Sequence, residues 1–198
     1  LIPLTAGAVL GIFGVHMTLV TSVTLEGVSY HLPDGSPLFS HLDLHLDQRR
    51  TGLVGRNGVG KSVLARLIAG DIVPSTGRCA RSGTVYYLAQ QVSPEPGHTV
   101  ADLAGVQPII SALERIEQGS TEQADFDCVG ERWGIRQQLL DQLAQNNLAH
   151  LTPSTPTSAL SGGEAMRVAL MGAFLSQADL LILDEPTNHL DRQHRDAL

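Results

Sequence analysis

Between Leu42 and Asp47 leucines alternate strictly with polar residues, and Val23–Tyr30 has the same period of two with β-branched enrichment. Both segments are predicted as strands with one face on a core and the other in water, which implies an antiparallel layer. Pro33-Asp34-Gly35-Ser36 between them is a turn signal, as is Pro74-Ser75-Thr76-Gly77 further on. Three apolar runs follow a different rule. Thr51–Val54 reads as the end of a buried strand, Thr84–Leu88 as a short strand, and Leu180–Leu183 as a parallel strand covered on both faces.

Helical spacing marks the rest. Val63–Gly70 is apolar at helical intervals and ends in glycine. From Thr99 the pattern continues through Val100, Leu103, Ala104, Ile109, Ile110, Leu113 and Ile116, then Trp133, Ile135, Leu139, Leu140 and Leu143, so residues 99–150 form a helical insert outside any sheet. Residues 93–98 are a rigid loop and 153–158 a linker. Ser161-Gly162-Gly163-Glu164 is a capping box opening a helix that buries Met166, Ala169, Leu170, Ala173 and Phe174.

Composition narrows the class. The 198 residues are 42% hydrophobic and 17% charged, with net charge −7, which suits a globular chain and disfavours broad nucleic-acid binding. Cys79 and Cys128 lie far apart, so neither a disulfide framework nor a zinc site is indicated; both read as reduced thiols in a cytosolic protein. His41, Asp43 and His45 share the polar face of one predicted strand and read as a solvated face. Residues 1–20 carry no Lys, Arg, Asp or Glu, but Pro3 and three glycines weaken them as a membrane span. No basic segment makes them a signal peptide. They read as a leader or as upstream sequence, with Met17 a natural start.

The chemistry centres on Gly55-Arg56-Asn57-Gly58-Val59-Gly60-Lys61-Ser62, set between a predicted strand and a predicted helix. Glycines let successive backbone N–H groups turn inward, forming an anion nest at a positive helix end. Lys61 then reaches β- and γ-phosphates, and the Ser62 hydroxyl ligates Mg²⁺. Asp184 and Glu185 end the continuous apolar strand, on the side where ligands of α/β sheets bind. The fold predicted is α/β, a P-loop NTPase core with a small antiparallel β lobe and a helical subdomain.

In order, Gly55–Ser62, Gln90, Leu160-Ser161-Gly162-Gly163-Glu164 and Leu180–Glu185 resemble the nucleotide-binding domain of ABC ATPases, from about Thr21 to the end of the chain. Pro186-Thr187-Asn188-His189-Leu190-Asp191 is similar to the ABC-F group of soluble tandem ATPases, many of which act on the ribosome. The resemblance implies that Gly55–Gly60 and Lys61 hold ATP phosphates, that Ser62 and Asp184 place Mg²⁺, and that Gln90 senses metal and water. It implies Glu185 as general base, with Gln91 an alternative to Gln90 for the sensing role. Ser161, Gly162, Gly163 and Glu164 then face the nucleotide of a second ABC domain, in cis or as a dimer, and Asp191 lies in the loop crossing between the two sites. Tyr30 is the candidate for stacking on adenine, with Leu32 the alternative.

The same resemblance implies a β lobe at about 21–50 and 77–90, a helical subdomain at about 99–176, and a domain that stops before the expected switch histidine. The expected function is that of a cytoplasmic, Mg²⁺-dependent ATPase acting on ribosomes or in antibiotic protection, with no DNA partner. Two alternatives are the ATPase subunit of a membrane transporter and an ATP-binding but catalytically silent module.

Overall fold

In the computed structural model, residues 9–14, 22–47, 50–92 and 95–186 are described, the first of these as backbone only. They form two compact units, one reaching to Gln90 and resuming at Gln177, the other running from Gln91 to Ser176.

The first unit holds two sheets. Strands β2 (Val23–His31), β3 (Pro37–Leu46) and β5 (Thr76–Arg81) pair antiparallel in the order β3-β2-β5. The leucines of β3 point inward while His41, Asp43 and His45 are exposed, as the alternation requires. Asp43 accepts from the Gly27 N–H at 2.6 Å and His45 Nδ1 bonds Thr24 Oγ1 at 3.0 Å, so this polar face is engaged in the sheet itself.

The second sheet carries the chemistry. Its order is β4-β1-β7-β6, with β1 at Val9–Gly14, β4 at Thr51–Val54, β6 at Val85–Leu88 and β7 at Leu180–Asp184. Every residue of β7 is buried, and β7 runs parallel to β6, in keeping with its continuous apolar sequence. Helix α1 (Lys61–Ala69) follows β4 and ends at Gly70, whose φ of 93° gives the left-handed cap. Leu64, Ala65, Leu67 and Ile68 of α1 pack with Leu25, Leu180 and Ile182 in one core.

Three features differ from the sequence reading. Val9–Gly14, placed in a leader, is a strand pairing antiparallel with β4 and β7. Its uncharged, β-rich composition suits the middle of a sheet as well as it suits a leader. Val85–Leu88, placed with the antiparallel lobe, belongs beside β7, because its partner strand lies far along the chain. β4 is only half buried, with Val54 40% exposed, because it is an end strand among the described residues.

The second unit is helical: α2 (Val100–Leu103), α3 (Gln107–Glu117), α4 (Gln123–Val129), α5 (Ile135–Gln145) and α6 (Gly162–Leu175). Their apolar stripes, including Ile109, Ile110, Leu113, Leu139, Leu143 and Val168, close one core. Gly172 lets α6 approach α2, since a Cβ there would lie 2.6 Å from the Ala104 carbonyl oxygen. Arg115 bonds the buried Asp125, which also accepts from Ser120 Oγ at 2.6 Å; these bonds hold the Asp125 carboxyl below its usual range. Two expected core residues are exposed instead. Trp133 precedes α5 with its ring beside that of Phe126, centroids 6.2 Å apart, and Phe174 lies on the exposed side of α6.

Candidate nucleotide-phosphate site

Residues 55–60 join β4 to α1, and the loop turns through glycines at φ 83° (Gly58) and 95° (Gly60), a region L side chains rarely adopt. Gly60 is also crowded, because a Cβ there would lie 2.8 Å from Phe39 and 2.9 Å from Leu38. It occupies the N-cap position of α1, where no side chain caps the helix and no acid lies in the first turn. The positive helix end and its N–H donors are thus left for an external anion. Lys61 is buried, and its Nζ donates to the carbonyls of Gly55 (3.0 Å) and Arg56 (3.2 Å). The ammonium also stands 3.8 Å from Glu185 Oε1.

At the end of β7, Asp184 is 1% exposed and Glu185 is buried with φ 51°. That conformation is costly for a residue bearing a Cβ, and it turns the Glu185 side chain back toward the loop. Gln90 Nε2 donates to Glu185 Oε2 at 2.8 Å, so Lys61 and Gln90 hold the two Glu185 oxygens from different sides.

Asp184 is held unevenly. Its Oδ2 accepts from the Tyr87 hydroxyl at 3.2 Å, whereas its Oδ1 is buried without a hydrogen-bond partner among the described residues. A buried carboxylate oxygen left unpaired is expensive, so this position favours a cation or a donor as partner. Carboxylate and hydroxyl oxygens such as those of Asp184 and Ser62 are hard donors of the kind Mg²⁺ takes. Burial, then the charge of Asp184, pushes the Tyr87 hydroxyl up to about 12, so it remains a donor at neutral pH.

The loop, Lys61, Gln90 and Glu185 line one cavity of about 350 Å³, and Asp184 is buried next to Glu185 without lining it. Lys61, Ser62, Gln90 and Glu185 line its polar end, Asn57 and Gly58 its loop side, and Leu32 and Leu38 its apolar wall. Arg56 and Val59 are exposed on the loop, and Gly55 contributes its carbonyl to Lys61. Tyr30, the stacking candidate, does not line this cavity; it packs beside Phe39 against the core of the first unit. β2 directs Tyr30 into the sheet pairing, and Leu32, beyond the strand end, takes the wall. Gln91 is exposed, and the cavity is lined by Gln90. Asp191 lies outside the described residues. Sequence reasoning missed Leu38 and Tyr87; the Tyr87 bond spans 97 residues and has no local signal.

The second unit presents Ser161, Gly162, Gly163 and Glu164 at the start of α6. Ser161 Oγ accepts from the Glu164 N–H at 3.3 Å, and the Ser161 N–H and hydroxyl donate to Glu164 Oε2 at 2.8 and 2.7 Å. These bonds, the backbone one foremost, hold the Glu164 carboxyl below its usual range. His150 Nε2 lies 3.2 Å from the other Glu164 oxygen.

Comparison with known proteins bears on the family and the fold. The family model described as ABC transporter matches residues 40–188. The energy-dependent translational throttle protein EttA of Escherichia coli is 32% identical over 163 residues, covering 73% of this chain and 29% of that protein. A protein of Mycobacteroides abscessus named antibiotic resistance protein is 30% identical over 194 residues, covering 87% of this chain and 35% of its own. A solved ATP-binding subunit of an ABC transporter superposes with TM-score 0.60 at 18% identity, over 88% of this chain and 70% of that one, a likeness of fold. The chain spans 22% to 35% of the length of these and other curated relatives.

Proposed function

Because the chain belongs to the ABC transporter family, we propose that it is an ATP-binding and ATP-hydrolysing domain of ABC-F type that works with a second ABC domain. One observation carries the reading: the Lys61 ammonium, Gln90 amide and Glu185 carboxylate meet at a single cavity beside an orphaned Asp184 oxygen.

The backbone of Gly55–Gly60 and Lys61 bind the β- and γ-phosphates, with Lys61 redirecting its donors from loop carbonyls to phosphate oxygens. Ser62 Oγ and Asp184 Oδ1 would hold Mg²⁺, which when bound would offset phosphate charge. Glu185 accepts the proton of the attacking water at a carboxylate oxygen, and Gln90, already bonded to Glu185, orients that water. Leu32 and Leu38 provide the apolar wall nearest the loop. Ser161–Glu164 at the start of α6 meet the γ-phosphate of the second domain, and Asp191 belongs to the connection between the two composite sites.

The role proposed for the whole protein is ATP-driven closure coupled to ribosome function or antibiotic protection in the cytoplasm. Support comes from the Asn188-His189-Leu190-Asp191 segment and from relatives named for translation and antibiotic resistance. No helix among the described residues is long and apolar enough to cross a membrane.

Glu185→Gln tests the chemistry in the complete protein. Single-turnover hydrolysis falls about 100-fold or more while ATP affinity is retained; unchanged turnover removes Glu185 as the base. The same variant, locked with ATP, is expected to co-sediment with ribosomes. ATP-independent or absent co-sedimentation refutes the translational role and leaves the ATPase assignment standing.

A further inference from the structure

We propose that Tyr87 is a positioning residue for metal binding: its hydroxyl anchors one oxygen of Asp184 so that the other faces the cation. The inference rests on the metal-binding reading of Asp184 above and adds the residue that fixes that ligand's orientation.

The geometry follows from strand register. β6 and β7 are parallel, with Tyr87 opposite Ile182 and Leu88 opposite Leu183. Side chains alternate along a strand, so Tyr87, Ile182 and Asp184 share one face of the sheet. Two residues of strand cover about 6.6 Å, a span that a tyrosine side chain bridges to place its hydroxyl on Asp184. The distance is 3.2 Å to Oδ2, and this is the hydrogen bond on that carboxylate among the described residues. Tyr86 points to the opposite face and has no such bond.

A carboxylate turns readily about its terminal torsion, so a single anchored oxygen decides where the second one points. Here the second oxygen, Oδ1, is buried and unpaired. Burial around Asp184 removes the water that otherwise replaces a lost partner. Deleting the Tyr87 hydroxyl therefore leaves both oxygens unpaired and frees the group to rotate. Outer partners of metal ligands typically change metal affinity by about 10- to 100-fold when removed.

The test uses Tyr87→Phe in the full chain, with Tyr86→Phe and Asp184→Asn beside it. Mn²⁺ binding to the ATP-loaded protein is followed by electron paramagnetic resonance, and ATP binding in EDTA is measured separately. Tyr87→Phe is expected to weaken Mn²⁺ about 10-fold and to leave metal-free ATP affinity intact, while the lost hydrogen bond lowers the metal-free thermal melt of a chain that still folds. Tyr86→Phe behaves as the unaltered chain. If Asp184→Asn loses Mn²⁺ while Tyr87→Phe keeps it, the positioning role is overturned and the metal site stands; if neither loses it, both readings fall. The unaltered protein supplies a second readout, free of any folding defect. With tyrosine labelled at the ring carbon bearing the hydroxyl, the Tyr87 resonance shifts when Mg²⁺ joins bound ATP, while those of Tyr30 and Tyr86 stay in place. A stationary Tyr87 resonance contradicts the proposal.

Discussion

Helices α1 and α6 begin with the same physical problem and resolve it in opposite ways. Each exposes N–H donors without intrahelical partners at a positive end. At α6, Ser161 and Glu164 satisfy two of those donors, their own N–H groups, from within the chain, and the first turn carries its own negative charge. At α1 a glycine takes the capping position, the first turn holds no acid, and a buried lysine adds positive charge. A capped start contributes stability to its own helix; an uncapped one forgoes it and keeps its donors for a ligand. The contrast also defines a requirement at α6. If Ser161 is to meet the phosphate of a second domain, its hydroxyl has to leave Glu164 Oε2, where it now donates.

The comparison breaks most sharply at Gly60. Gly60→Ala forces a Cβ into a left-handed conformation against Phe39 and Leu38, costing about 1–3 kcal/mol of stability. It also distorts the phosphate loop, so ATP affinity falls about 10-fold or more. Chemical denaturation and calorimetry read the two effects; an alanine tolerated in both contradicts the uncapped-loop account. Gly172→Ala strikes the other helix away from its cap. The Ala104 backbone cannot yield as a side chain can, and the expected loss is about 1–3 kcal/mol of stability, with ATP affinity in the first unit unchanged.

A smaller effect separates the two helix starts directly. Ser161→Ala removes the reciprocal cap and costs about 1 kcal/mol; in the isolated chain its thermal melt falls without loss of ATP binding at the Lys61 cavity, which Ser161 does not line. The smallest effect is in pH. Glu164 has its carboxyl lowered in the folded state, so its contribution is present above the ordinary value of 4.5 and is lost as pH falls through the lowered one. Acid melts of the unaltered chain therefore drop through that window more than those of Glu164→Gln. Equal acid sensitivity rules out the cap as the cause.

What could be read in advance divides along the same line. The α6 cap was legible because all of its partners lie within four residues, and Leu180–Leu183 was legible because a strand buried on both faces has no polar positions. Glycine and lysine spacing at 55–62 announced the loop for an equally local reason. The remainder depends on distant partners. Nothing within Val9–Gly14 says that it pairs between β4 and β7, and nothing within Val85–Leu88 assigns it to β7 in preference to the antiparallel layer. Trp133 and Phe174 follow helical spacing, yet spacing cannot tell a covered stripe from one that no neighbour reaches. The Tyr87–Asp184 bond has the same origin, two residues joined only by the pairing of their strands.

The central claim is that the cavity at Lys61 binds the phosphates of ATP. Isothermal titration of ATP into the unaltered chain and into Lys61→Ala measures it most directly. The account predicts one site in the unaltered chain and an affinity at least about 10-fold weaker in the variant, since a charge-assisted contact is lost. Equal affinity in the two proteins, or no ATP binding to a folded unaltered chain, contradicts it.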